Sequence, residues 1–191
     1  MKVVVVGCGP SAPQHAETID ACACVIRCGA FPFSWAGNRW HIWASSFTAA
    51  KCVEMAEQGM VPGNGSQPVD LVLVPPSQIW CLADHPERRF KLGRKRVLTI
   101  GKRLCSGGLK KRLGRAPSEG LQAVTVALER YPGDEIAIVG FDCLTPKVPS
   151  WTLPGDRKWA GDGGHNYPGE KKLLGEWEAE GRLEWWRLKC E

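Results

Sequence analysis

The sequence predicts an α/β fold, a Rossmann-like three-layer domain with a mainly parallel sheet. Three observations predict it. The chain opens on a strand-like run, Lys2–Val6, whose four valines are unbroken and β-branched, and it ends in the tight turn Gly7-Cys8-Gly9-Pro10-Ser11. A strand apolar on every residue is covered on both faces, as parallel strands are. A helical stretch and a second apolar run, Cys22–Cys28, follow within the span of one βαβ unit. Further short apolar runs then alternate with turn-rich or helical stretches to the end of the chain. A length of 191 residues suits a single domain over 1–191 with a core of its own.

Each element follows from local chemistry. Residues 13–20 (PQHAETID) predict a short helix with Pro13 tolerated in its first turn. Trp40–Trp43 reads as a third strand. Ser46–Gln58 reads as a helix with Ala49, Cys52, Val53 and Ala56 on one stripe. The loop VPGNGSQP (61–68) leads to a buried strand, Val69–Val74, stopped by Pro75 and Pro76. Within the next, basic stretch only Val97–Ile100 reads as a strand. Ser118 is placed to cap a helix whose Leu121, Val124, Thr125 and Leu128 recur at helical spacing. Tyr131-Pro132-Gly133-Asp134 turns the chain into the strand Ile136–Phe141, and a Gly/Pro/Trp-rich loop (143–164) follows. Pro168 opens a last helix that turns Leu173, Leu174 and Trp177 inward, Gly181 ends it, and Leu183–Leu188 reads as the final strand. Alternation puts Trp185 and Trp186 on opposite faces of that strand, so at most one is expected in the core.

Composition narrows the class. Hydrophobic residues are 43% and charged residues 24%, ordinary for a globular protein. No apolar run approaches the roughly 18 residues of a membrane helix. The first apolar run is too short for a signal peptide, so a cytoplasmic protein is expected. The nine cysteines are odd in number and contain no CxxC pair, and Cys22, Cys24 and Cys28 lie in an apolar run. They read as buried thiols rather than disulfides or metal ligands, and no metal is expected. Charge is uneven: the segment 85–115 holds twelve Lys/Arg and one acid, Glu87, while the remainder holds thirteen Lys/Arg against nineteen Asp/Glu. That segment reads as a basic insertion or loop region, either a solvated face or a surface for a polyanion or a donor phosphate.

Ligands of such sheets bind at the carboxyl ends of the strands, where glycine-rich turns and helix N-termini meet. Four segments qualify: Gly7–Ser11, Cys28–Phe31, Ala116–Gly120 and Gly140–Asp142. The amides that open the helix after Pro117 are placed to hold a phosphate or carboxylate. Gly7-Cys8-Gly9-Pro10-Ser11-Ala12 also fits a loose dinucleotide fingerprint, without the acid expected about twenty residues later. Arg27 in that region would suit a 2′-phosphate and keeps an NADP-linked reductase, or a non-catalytic nucleotide-binding module, as an alternative. His165 lies in a glycine-rich loop directly before a helix, where an imidazole can take a proton near neutral pH, and Glu170 follows in that helix's first turn.

Three segments in order resemble the sialyltransferase family. VVVVGCGPSAPQHAETIDACACVIRCGAF is similar to its long motif, APSEGLQAVTVALERYPGDEIAIVGFD to its short motif, and HNYPGEKKLLGEWEAEGRLEWWRLKC to its very short motif. Together they cover about 80 of the 191 residues. The resemblance implies inverting, metal-independent transfer of a sugar from a nucleotide-activated, CMP-linked donor to an acceptor hydroxyl, with no cofactor. It places the motif histidine on His165 and the motif glutamate on Glu170, the two expected catalytic residues. Gly7, Gly9 and Gly140 would line the donor cleft, with Cys8, Ser11, Gly29, Glu119 and Asp142 beside them, and Ser118 and Gly120 would hold the leaving phosphate.

The chain departs from the family in places. Its two nucleotide-contacting asparagines fall on Cys8 and Gly29, and its threonine falls on Glu119, a charge that would repel a carboxylated sugar. Lys2 and the Tyr131-Pro132 turn occupy the positions of its disulfide. The expected partners are a nucleotide sugar and an acceptor glycan. An alternative is DNA bound through 85–115 and glycosylated on a modified base, as in a phage-type DNA glycosyltransferase; the basic segment and nine tryptophans suit that reading.

Overall fold

A computed structural model describes residues 1–28, 36–39, 42–44, 71–74, 97–99, 108–142 and 165–187, the side chains at 43–44, 71–74 and 97–99 excepted. Seven strands form one sheet: β1 (Lys2–Val6), β2 (Cys24–Cys28), β3 (Ile42–Ala44), β4 (Leu71–Val74), β5 (Val97–Thr99), β6 (Glu135–Val139) and β7 (Glu184–Trp186). Their order is β5-β4-β3-β2-β1-β6-β7, and every neighbouring pair is parallel. The expected α/β class with a parallel sheet is the architecture observed. The predicted helix over 46–58 lies outside the described residues, as do the loop 143–164 and most of 85–115.

From β1 the chain builds outward to β5 on one side, and β6 and β7 then add on the other. The order therefore reverses between β1 and β6, and the carboxyl ends of these two strands flank the switch point. β1 is an interior strand, paired on both edges, and its Val3, Val4, Val5 and Val6 are all fully buried. Val3 and Val5 face the same core as Ile26, Ile136, Ile138 and Trp185, which the helices α4 (Glu119–Arg130) and α5 (Tyr167–Ala179) cover through Leu121, Val124, Leu173, Leu174 and Trp177. Both helices lead into a strand's amino end, so their own N-termini lie at the sheet's carboxyl edge.

The other face is covered too, and this changes two sequence expectations. Trp185 joins the core, yet Trp186 on the opposite face is equally buried. The His15 ring stacks on Trp186 at 5.6 Å, and His15 Nε2–H donates to the Arg187 carbonyl at 3.1 Å. A sheet with two covered faces has two interiors, so adjacent tryptophans can both be inside. The same contact explains why the helix expected over 13–20 is two: α1 (Ser11–Gln14) and α2 (Ala16–Ala21), broken at His15.

A short helix, α3 (Gly108–Leu113), lies inside the basic segment. The sequence reading missed it, although Leu109 and Leu113 sit one helical turn apart; three consecutive cations masked the signal. Ser118 caps α4 as expected, its oxygen accepting from the Leu121 amide at 3.2 Å. Among the described residues Cys8, Cys22, Cys24 and Cys28 are free thiols, the last three buried.

At the switch point the two turns touch backbone to backbone. A Cβ on Gly140 would lie 2.5 Å from the Gly7 carbonyl oxygen, and Gly140 has φ of 75°. Gly133 has a similar φ of 85° but open space around it. We expect Gly133→Ala to lose about 1–2 kcal/mol from the left-handed backbone alone. Gly140→Ala should lose about 3 kcal/mol or more, because overpacking adds to the strain. Urea unfolding of both variants checks this; equal losses would mean that the close approach carries no energy.

Candidate functional site

The turns after β1 and β6 bring five of the proposed donor residues together. The Gly9 amide donates to the Gly140 carbonyl at 2.7 Å, and the Gly140 amide donates to Ser11 Oγ at 2.9 Å. The Ser11 amide donates to Asp142 Oδ2 at 2.8 Å. These groups hold one another, so the absence of side chains at Gly7, Gly9 and Gly140 is required first by this clasp. A Cβ on Gly9 would lie 2.7 Å from both Asp142 Oδ2 and the Gly140 carbonyl.

Cys8 and Glu119 meet the end of β2 beside this clasp. Cys8 Sγ–H donates to the Cys28 carbonyl at 3.4 Å. Burial pushes the Cys28 thiol well above its ordinary range, and the nearby charges of Glu119 and Cys8 add to it. Gly29, the next residue of this edge, lies outside the described residues. Gly120 packs on Phe141, whose Cε1 would meet a Cβ at 2.9 Å, so here too the glycine serves close packing.

Arg27, the residue that would suit a 2′-phosphate, is fully buried. Its Nε donates to the Arg39 carbonyl at 2.9 Å and its Nη2 to the Ala36 carbonyl at 2.7 Å. Burial lowers its pKa to about 10, with the Asp20 carboxylate opposing. This arginine is a pin for the 36–39 turn.

The start of α5 is stitched to the segment that precedes α4. Glu170 is fully buried; the Ser118 amide donates to its Oε1 at 2.6 Å and the Ser118 hydroxyl to its Oε2 at 2.5 Å. Both donors that were expected to face the donor phosphate are thus directed at an internal carboxylate, which occupies the anion position of a helix N-terminus. Helical spacing explains the burial, since Glu170 lies on the stripe of Leu173, Leu174 and Trp177. Asn166, not singled out from sequence, caps α5 by accepting from the Gly169 amide at 3.1 Å, and its Nδ2 donates to the Leu113 carbonyl at 2.8 Å. Arg112 of α3 pairs with Glu176 of α5.

His165 completes this seam. Its Nδ1 lies 2.9 Å from the Ala116 carbonyl. A carbonyl only accepts, so Nδ1 carries a proton, and whenever the ring is neutral its lone pair lies on Nε2. The ring is partly exposed and meets Tyr167 edge-on at 5.8 Å. The Ala116 carbonyl thus fixes the orientation of the His165 ring at the carboxyl edge, while Glu170 holds that edge together. Among the described residues no group of three His, Cys, Asp or Glu side chains converges to hold a metal ion.

The Glu170 carboxyl sits above its usual range because burial penalises its charge, opposed by the two Ser118 hydrogen bonds and by His165. A carboxyl raised in the folded state contributes stability that is complete below its unfolded value of about 4.3 and is lost as pH rises through the folded value. Glu170→Gln does not titrate, so its stability relative to wild type should improve from about pH 4 to about pH 7. Glu170→Ala strands the Ser118 amide and should cost about 1–3 kcal/mol at either pH. Urea midpoints at the two pH values test both; a Gln-to-wild-type difference that stays constant would contradict a raised carboxyl.

No protein-family model matches the chain, and no curated protein matches it. Solved structures do. A mammalian sialyltransferase superposes with a TM-score of 0.67 at 13% identity, covering 98% of this chain and 69% of that one. A mammalian sialyltransferase in complex with Gal-beta-1-3GalNAc-ortho-nitrophenol gives a TM-score of 0.65 at 13% identity, over 98% of this chain and 70% of that one. Among the described residues no helix is long and apolar enough to cross a membrane. At this identity the likeness speaks for the fold: the chain has a sialyltransferase-like, Rossmann-type α/β architecture.

Proposed function

We propose that the chain is an inverting glycosyltransferase that moves a sugar from a nucleotide-linked donor, CMP-linked in the first instance, to an acceptor hydroxyl. The observation that carries this reading is the state of His165. Its Nδ1–H is held by the Ala116 carbonyl, so in the neutral ring the lone pair lies on Nε2, at the carboxyl edge of a switch-point sheet. The resemblance of the three sequence segments and the shared fold support it.

In this reading the acceptor O–H gives its proton to Nε2 as the oxygen attacks the anomeric carbon. The bond from that carbon to the donor phosphate breaks, its electron pair leaves with the phosphate, and the configuration inverts. Glu170 acts through position, holding the first turn of α5 against Ser118. The donor rests beside the 7–11 turn and the first turn of α4. Glu119 at that place disfavours a carboxylated sugar and favours an uncharged one.

Two outcomes follow. His165→Ala and His165→Gln should lower transfer about 10²–10⁴-fold, the usual contribution of a general base. The CMP-induced rise in melting temperature should remain. Full activity in either variant ends the assignment. Transfer should also survive EDTA, since a monophosphate leaving group needs less charge neutralisation than a diphosphate. Loss with EDTA and recovery with Mg²⁺ or Mn²⁺ would instead identify a diphosphate-linked donor.

A further inference from the structure

The charge around His165 is one-sided. In the stretches 108–118 and 165–176 there are six Lys/Arg, namely Lys110, Lys111, Arg112, Arg115, Lys171 and Lys172, and two acids. Neither acid offsets the surface: Glu170 is buried against Ser118, and Glu176 is paired with Arg112. All six cations are exposed. Elsewhere among the described residues the balance reverses, with six Lys/Arg against ten Asp/Glu.

These cations are not scattered over a flexible surface. Three contacts fasten α3 and the 114–118 segment to α5 and the residues that lead into it: the Arg112–Glu176 pair in its last turns, Asn166 Nδ2 to the Leu113 carbonyl at 2.8 Å, and His165 Nδ1 to the Ala116 carbonyl at 2.9 Å. Arg115 directly precedes the residue whose carbonyl orients His165. Bringing like charges together on two docked elements raises the energy of the free protein, and a polyanion relieves it by releasing its counterions.

We propose that this surface binds the phosphate backbone of a nucleic acid and so makes the acceptor a hydroxyl carried on a nucleic-acid base or ribose. The binding surface stands on the charge and the contacts alone; the acceptor role rests on the transferase reading above. Regularly spaced phosphates suit exposed lysines as point charges, and His165 is tied to the same 114–118 segment through the Ala116 carbonyl. A hydroxyl on a base would have to leave the stack, so single strands should serve better than duplex.

The test uses the full chain and a fluorescent 20-nucleotide single strand, read by anisotropy from about 50 to about 200 mM salt. Wild type should bind with a steep inverse salt dependence. Lys110→Glu/Lys111→Glu and Lys171→Glu/Lys172→Glu should each weaken binding at least tenfold and flatten the salt slope. Their melting temperature and their CMP-induced shift should stay those of wild type. Arg112 is left intact because it holds Glu176.

The proposal is overturned if both double variants bind within twofold of wild type, or if wild type shows no binding at about 50 mM salt. The two readings fail separately. Strand binding without any shift by CMP or UDP would sink the transferase and leave the surface. A CMP shift with transfer to a glycan and no strand binding would sink the surface and leave the transferase.

Discussion

The turns after β1 and β6 approach so closely that neither Gly7 nor Gly140 has room for a side chain. That single steric constraint fixes where the sheet divides. β1 pairs with β2 on one side and with β6 on the other, and its register with β6 runs from Lys2–Glu135 to Val6–Val139 without a break. Because the strands end together, their turns meet, and Gly9, Ser11 and Asp142 close the junction with three short hydrogen bonds. The N-termini of α4 and α5 come to the same edge because each helix must run back to the start of the next parallel strand. Position at the site is thus inherited from topology.

What the edge then contains is a matter of which polar groups are already satisfied. A helix N-terminus attracts anions through its orphan amides. Here Glu170 supplies one from within the chain, and it does so from a fully buried position. Desolvation raises the cost of its charge, while the Ser118 amide and hydroxyl recover part of it. The result is a rigid joint between α4 and α5 rather than an open anion site. His165, two residues before the first residue of α5, inherits its orientation from this joint through the Ala116 carbonyl. A base that is positioned by its neighbour's backbone needs no carboxylate partner of its own.

The seam also explains why a run of cations persists beside the candidate base. α3 contributes one arginine to a structural ion pair and leaves its lysines outward, and α5 does the same with Lys171 and Lys172. Packing uses the leucines of both helices, so the charged faces are free to serve recognition. A fold shared with sialyltransferase structures at 13% identity leaves such surface groups free to differ, since the core does not constrain them.

Sequence alone determined the α/β class, the buried parallel strand Lys2–Val6, the Ser118 cap and the turn at Gly133. Each of these is a local signal: unbroken β-branched residues, a capping hydroxyl, a glycine where φ must be positive. It also singled out His165 and Glu170 from their spacing in a recognisable motif. It did not reveal that Trp186 is buried, that the helix over 13–20 breaks at His15, or that Arg27 is turned inward onto two backbone carbonyls. Those depend on partners far along the chain, as His15 and Arg187 are, or on which face a neighbouring element covers. Most of all, only the tertiary structure decided what Ser118 donates to. From sequence its amide and hydroxyl suit a phosphate, and in the folded chain they meet Glu170, 52 residues away, because the helical stripe that buries Leu173, Leu174 and Trp177 buries the glutamate with them.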